Sequence, residues 1–338
     1  MLSNDCFPVS HLTKTPYLVA RSSTREEVEM RSSVRRLPPP TFIQQHAMLM
    51  RSLPQRIIRQ HKLISTMRLV LDFDGTITQK DTIGELAQAA ISLQRRRTGQ
   101  DFQPVWNHAV QAYLKDYESY ESNFSPPESL RKDMKAEMRF LKGLKDAEEA
   151  SLSRVSASAL FAGLQRDDLF QMGVEAVASG RVSKTEGFDE FLLSAGEKGL
   201  KMDITSVNWS KAFIEGILHP QHLPVAANEI SENGEIQGPQ HVGSRITTSP
   251  DKLNALRHIT QTDHEPVLYL GDSTTDIECL LYSHGVIIAR DAESALLTTL
   301  SRIGVDVPHI GNLQNLTHAR LFWARDFLEV LASGALDQ

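Results

Sequence analysis

Apolar residues along this chain follow two patterns, and the polar residues between them carry its chemistry. Leu69, Val70 and Leu71 form a continuous apolar run that leads directly into Asp72-Phe73-Asp74-Gly75. Such a run predicts a buried parallel strand that ends in a loop at its carboxyl edge, where open α/β sheets bind their ligands. From Gly84 to about residue 180 the apolar spacing becomes helical. Helices are predicted over 84–97, 104–117 and 167–179. Leu130, Met134, Met138, Leu141 and Leu144 mark one face of a further helix, with Ser125-Pro126-Pro127-Glu128 as its start signal. So long a strand-free stretch directly after a first strand predicts an inserted helical domain over 84–182.

Strands and helices alternate again from Gly187. The pattern predicts a helix over 188–198 ended by Gly199 and a strand over 201–207. Ser206 and Asn208-Trp209-Ser210 follow, then a helix over 211–218. Segments 225–230 and 235–238 flank Asn233-Gly234, which argues for a hairpin. Ser249 and Pro250 open a helix that ends near Thr260, with Ser249 as its cap. A strand over 267–270 runs into Gly271-Asp272-Ser273-Thr274-Thr275-Asp276, a strand over 285–290 follows, and an amphipathic helix over 316–331 closes the chain. This alternation predicts a doubly wound parallel α/β sheet built from 67–83 and 183–338. No internal repeat is visible.

Composition changes this picture mainly at the N-terminus. The 338 residues are 41% apolar and 23% charged, ordinary for a globular protein. The net charge of −6 divides unevenly. Residues 1–66 hold 10 basic and 4 acidic residues, a balance of +6, and the remainder holds 26 against 38, or −12. Arg35-Arg36-Leu37-Pro38-Pro39-Pro40 reads as an extended linker, and 41–66 is Arg-rich and free of acids. Residues 1–66 are therefore expected to be a disordered or targeting extension. The expected location is cytoplasmic, or mitochondrial if that extension is a transit segment. The acidic body argues against nucleic acid as a partner, and no apolar run approaches the roughly 18 residues of a membrane helix. Cys6 and Cys279 are the only cysteines, too few for a disulfide framework or a Cys-based zinc site.

Asp72 and Asp74 are separated by one residue, so a continuing strand would send both to one face. Carboxylates that close repel unless a cation or a proton lies between them. Alone, the pair also suits a solvated Asp-Gly turn. Ser206 alone suits a strand-end hydroxyl, Lys252 a surface helix residue, and Asp272 and Asp276 a cap for a helix over 274–282. Asp81 suits a hinge or substrate gate as well as a helix cap. Arg95-Arg96-Arg97 reads as a solvated helix face, and His219, His222 and His241 as loop histidines.

Taken in chain order, these residues resemble the haloacid dehalogenase (HAD) superfamily of phosphohydrolases. Asp72-Phe73-Asp74-Gly75-Thr76-Ile77-Thr78 matches its first motif and Thr205-Ser206 its second. Lys252 at a helix start resembles the third, and Gly271-Asp272-Ser273-Thr274-Thr275-Asp276 matches the fourth. The helical insert lies where the superfamily's type-1 cap lies. With Asn228 and Gly234-Glu235-Ile236 ahead of the lysine, the chain looks most like the phosphoserine-phosphatase-like branch. Val207-Asn208-Trp209 departs from the glycines common in phosphoserine phosphatases, which points away from serine phosphate. The resemblance implies an Mg²⁺-dependent phosphatase of a small phosphorylated metabolite, acting through an aspartyl-phosphate as a monomer or homodimer. It implies Asp72 as nucleophile and Asp74 as acid and base. Mg²⁺ would be held by Asp72, the Asp74 backbone carbonyl and Asp272, with Asp276 holding metal-bound water or orienting Lys252. Thr76, Ser206, Asn208 and Lys252 would meet the phosphate. A phosphotransferase or phosphomutase, or a phosphate-sensing protein without turnover, remains the alternative.

Overall fold

The computed structural model describes residues 67–261, 265–316 and 318–337. The expectations for 1–66 lie outside the described residues. Strand β1 (Arg68–Leu71) precedes helices α1 (Ile83–Thr98), α2 (Gln103–Asn123), α3 (Met134–Gly143), α4 (Lys145–Ala157) and α5 (Arg166–Ala178). Then come α6 (Phe188–Glu197), β2 (Lys201–Thr205), α7 (Lys211–Leu218), β3 (Val225–Ala226), β4 (Glu229–Ile230), β5 (Ile236–Gln237) and α8 (Ser249–Thr260). The chain continues with β6 (Val267–Gly271), α9 (Ile277–Tyr282), β7 (His284–Ile288), α10 (Ala295–Arg302), β8 (Leu321–Ala324) and α11 (Phe327–Ala332).

Six strands form one sheet in the order β3-β2-β1-β6-β7-β8, parallel throughout. From β1 the chain builds outward through β2 and β3, then returns to the other side of β1 with β6. The order therefore reverses beside β1, and in open parallel sheets that crevice is where ligands bind. Alternation along β1 explains its continuous apolar run. Leu69 and Leu71 pack into one buried cluster and Val70 into another, because successive side chains leave opposite faces.

Helices from the insert complete both clusters. Leu86, Trp106, Leu152 and Leu169 join Leu69, Leu71 and Phe213, whereas Phe140 and Leu141 join Val70, Tyr269 and Leu256. Helices α5 and α7 touch backbone to backbone. A Cβ on Gly216 would fall 2.0 Å from Phe170 O, and one on Gly173 2.3 Å from Phe213 O. Only hydrogen at these positions permits the approach.

Several predicted elements change on folding. The closing helix over 316–331 is instead β8 followed by the short α11. Leu321-Phe322-Trp323-Ala324 is too short an apolar run for periodicity to distinguish strand from helix, and β7 supplies the neighbouring hydrogen bonds. Segment 225–230 splits: β3 joins the main sheet beside β2, and only β4 forms the expected hairpin with β5. The helix predicted from Pro126 begins at Met134, where the Asp133 carboxylate accepts from Ala136 N, and Leu130 is 62% exposed. Thr248, not Ser249, caps α8. No helix among the described residues is long and apolar enough to cross a membrane.

Candidate active site

The carboxyl ends of β1, β2 and β6 and the first turn of α8 meet at the reversal point. Asp72 continues the β1 ladder by donating its N–H to Leu270 O at 2.8 Å, and its carboxylate is buried. Asp72 Oδ1 accepts from Lys252 Nζ at 2.5 Å, and the same ammonium donates to Asp276 Oδ1 at 2.6 Å. Lys252 is fully buried because α8 starts directly over the sheet. That start is secured by Asp251, whose Oδ2 accepts from Thr248 N at 2.9 Å and from Lys145 Nζ of α4 at 2.8 Å.

Asp276 has no oxygen to spare. Its Oδ1 also accepts from Tyr269 OH at 2.6 Å, and its Oδ2 accepts from Asp272 N, Ser273 N and Ser273 Oγ at 3.2, 3.0 and 3.1 Å. It therefore both caps the turn after β6 and fixes Lys252. Asp272 is partly exposed. Thr76 Oγ1 lies between the acids, 3.4 Å from Asp72 Oδ2 and 3.3 Å from Asp272 Oδ1.

The strand does not continue through Asp74, so the two motif-one acids do not share partners. Asp74 Oδ1 accepts from Thr82 N at 2.8 Å and Thr82 Oγ1 at 2.6 Å, and Asp74 Oδ2 accepts from Asn208 Nδ2 at 2.8 Å. Ser206 follows β2 and is buried, and its Oγ accepts from Asn208 N at 3.0 Å. Asn228 ties this loop down by donating to the carbonyls of Val207, Asn208 and Ile246.

The electrostatics follow from burying acids with a single ammonium. Burial, reinforced by the Asp276 charge, pushes Asp72 up to about 7 although Lys252 opposes it. Desolvation in the crevice and the charges of Asp72 and Asp276 hold Asp272 well above the usual carboxylate range. Burial also raises Asp74, against its hydrogen bonds from Thr82 and Asn208. For Lys252, burial favours the neutral amine, but Asp276 and Asp72 outweigh it and keep the ammonium charged. Asp72, Asp272 and Asp276 place ligand atoms within 4.8 Å of one another. Crowded hard oxygens with too little positive charge could hold a divalent cation such as Mg²⁺. Because Asp276 is fully hydrogen-bonded, Asp72 and Asp272 are the side chains left to ligate.

Gly75 keeps these acids together. Its φ is +80°, and a Cβ there would fall 2.2 Å from Asp272 Oδ2. Replacing Gly75 with Ala is therefore expected to push Asp272 away and, if the acids hold Mg²⁺, to weaken that binding by at least about tenfold, equivalent to about 1.4 kcal/mol. Isothermal titration calorimetry would show this, and unchanged affinity would refute the close approach.

No protein-family model matches the chain. A CTO1 family protein of Schizosaccharomyces pombe is 30% identical over 249 residues, covering 66% of this chain and 82% of that protein. The chain belongs to the CTO1 family. Cold tolerance protein 1 of Saccharomyces cerevisiae is 22% identical over 259 residues, covering 67% and 80%. Among solved structures, a substrate-bound phosphoserine phosphatase complex aligns with 79% of this chain and 97% of its own at 16% identity and a TM-score of 0.44. Cytosolic 5'-nucleotidase IIIB bound to cytidine aligns with 81% and 84% at 13% identity and a TM-score of 0.46. With four motifs in order at one edge of a six-stranded parallel sheet, this CTO1 family protein has a HAD-like fold.

Sequence reasoning did not single out Tyr269 or Thr82. The hydroxyl of Tyr269 is one polar group in the otherwise apolar run 267–270, and that was its only signal. Thr82 precedes α1 like many capping residues, and nothing in its spacing points to Asp74. Asp81 accepts from Ile83 N at 2.9 Å, one residue ahead of Thr82, the N-cap of α1. The loop histidines lie outside the acid cluster: His219 meets the ring of Phe170 and His241 that of His258. Arg97 forms an ion pair with Asp168 on the surface of the insert.

Proposed function

We propose that this CTO1 family protein is a phosphoric monoester hydrolase that acts on a small phosphorylated metabolite with Mg²⁺. The observation that carries this reading is the buried Lys252, held between Asp72 and Asp276 at the end of β1. That arrangement holds one oxygen of Asp72 and shares a single positive charge between two carboxylates. Phosphoryl transfer needs an in-line nucleophile, positive charge beside the equatorial oxygens and a proton for the leaving alkoxide.

In this reading Asp72 Oδ2, the oxygen Lys252 does not hold, attacks phosphorus. The bond to the leaving oxygen breaks and an aspartyl-phosphate forms. Asp74 gives its proton to the leaving oxygen, then takes one from the water that hydrolyses the phosphoenzyme. Ser206 donates its hydroxyl to a phosphate oxygen, and Lys252 offsets phosphoryl charge from its place between two acids. Mg²⁺, held by Asp72, Asp272 and the Asp74 carbonyl, would supply positive charge to the phosphoryl oxygens when bound. Helices α1 to α5 would act as the cap that selects the substrate. Asp74 also weighs against dehalogenase chemistry, since a halide needs no proton on leaving.

The test is hydrolysis of an aryl phosphate and of a phosphometabolite panel. EDTA should abolish activity and Mg²⁺ should restore it. Ca²⁺ should substitute poorly, because it prefers looser and higher coordination. Full turnover in EDTA would refute the metal assignment, and no turnover on any ester would refute the phosphatase reading.

A further inference from the structure

We propose that Asn208 is a positioning residue for the acid–base carboxyl of Asp74 and not a phosphate ligand. This rests on the phosphatase reading. A primary amide has two N–H donors, and both are accounted for inside the protein. Asn208 Nδ2 lies 2.8 Å from Asp74 Oδ2 and 3.1 Å from Thr82 Oγ1. Thr82 closes the triangle by donating its N–H and Oγ1 to Asp74 Oδ1.

Asn208 cannot readily turn towards a phosphate, because its remaining groups are also engaged. Its Oδ1 accepts from Ser210 N at 3.2 Å, its carbonyl accepts from Asn228 Nδ2 at 3.1 Å, and the residue is buried. On one side Ser210 caps α7, which lies in backbone contact with α5. On the other, the ring of Trp209 meets Trp106 of α2 edge-on at 6.1 Å. The loop that carries the amide is thus anchored to α7 through Ser210 and to α2 through Trp209.

The consequence for chemistry is directional. Asp74 Oδ1 accepts two hydrogen bonds and Oδ2 one, so Oδ2 keeps an unoccupied lone pair through which a proton can pass. As the bond between phosphorus and the leaving oxygen breaks, that proton passes to the leaving oxygen. A carboxyl free to rotate would often present the wrong oxygen, and loss of orientation lowers the rate without altering phosphate binding.

Asn208→Ala, Thr82→Val and Thr82→Ser in the full chain with Mg²⁺ test the assignment. With Asn208→Ala and with Thr82→Val, kcat/KM for an alkyl phosphate should fall about tenfold or more, as for a lost oriented hydrogen bond. The loss for p-nitrophenyl phosphate should be several-fold smaller, because its leaving group needs little protonation. Inhibition by inorganic phosphate should be unchanged, and Thr82→Ser should restore activity on the alkyl ester. Added to Asp74→Asn, the Asn208→Ala change should cost almost nothing more, since the carboxyl it positions is already gone. Equal losses on both esters together with weaker phosphate inhibition would make Asn208 a phosphate ligand and overturn the proposal alone. Wild-type protein inactive on both esters would overturn the phosphatase reading and this assignment with it. Should Asn208→Ala not fold, the Thr82 pair decides by the same comparison of esters.

Discussion

Asp72→Asn is expected to abolish turnover of every phosphate ester, whereas Asp74→Asn is expected to separate substrates by leaving group. The two acids are two residues apart but serve different partners. Asp72 faces Lys252, with Oδ2 left for phosphorus, and Asp74 faces Thr82 and Asn208. An amide at 72 can still accept from Lys252, so the fold should survive, but it is a poor nucleophile and carries no charge for Mg²⁺. An amide at 74 keeps the backbone carbonyl and loses only the proton carrier. Alkyl phosphates should then slow by about 10²–10⁴, and aryl or acyl phosphates much less. Mass spectrometry after rapid quench should find phosphate on Asp72 of the wild-type protein. Phosphate on another residue, or turnover by Asp72→Asn, would remove Asp72 as the nucleophile.

Lys252→Met should damage stability and catalysis together. The ammonium is fully buried and donates to two buried carboxylates. Methionine fills the volume but leaves Asp72 and Asp276 facing each other without a cation, and breaking a buried pair in this way costs about 3–5 kcal/mol. A lower urea midpoint should report that loss, and Mg²⁺ should recover part of it by replacing charge beside Asp72. Turnover in saturating Mg²⁺ should still fall by about 10²–10³, the effect of removing one oriented donor from the transition state. If the midpoint drops while turnover is unchanged, Lys252 is purely structural. If neither changes, the buried bridge does not exist in solution.

Much of the architecture can be read along the chain, because its signals are local. The run 69–71, the Asp-Gly turn after it, the long helical stretch and the later alternation of strands with helices each depend on residues close in sequence. So does the order of the polar strand ends, and the structure brings Asp72, Lys252, Asp272 and Asp276 together at the expected edge of the sheet. Where the expectation failed at the sheet edge, the missing information lay far away in the chain. β8 is a strand because β7 offers it hydrogen bonds, and no periodicity within 316–331 contains β7. Thr248 caps α8 because Asp251 reaches back to it and Lys145, more than a hundred residues earlier, holds Asp251 in place.

The direction of each functional side chain divides in the same way. The motif order, through the family resemblance it carries, sufficed to name the acids and the lysine as one group, since that order can be read along the chain. Which oxygen faces which donor belongs to the packed structure. Asp276 is turned to Lys252 and Tyr269, and Asn208 to Asp74 and Thr82, because buried polar groups must find partners wherever the fold has placed them. The sequence alone therefore determined the inner strands of the sheet, the helical stretch after β1 and the set of polar groups at the strand ends. Tertiary structure decided which acids hold the lysine and which is held by the amide, because those choices depend on contacts such as the one between Asp72 and Lys252, 180 positions apart.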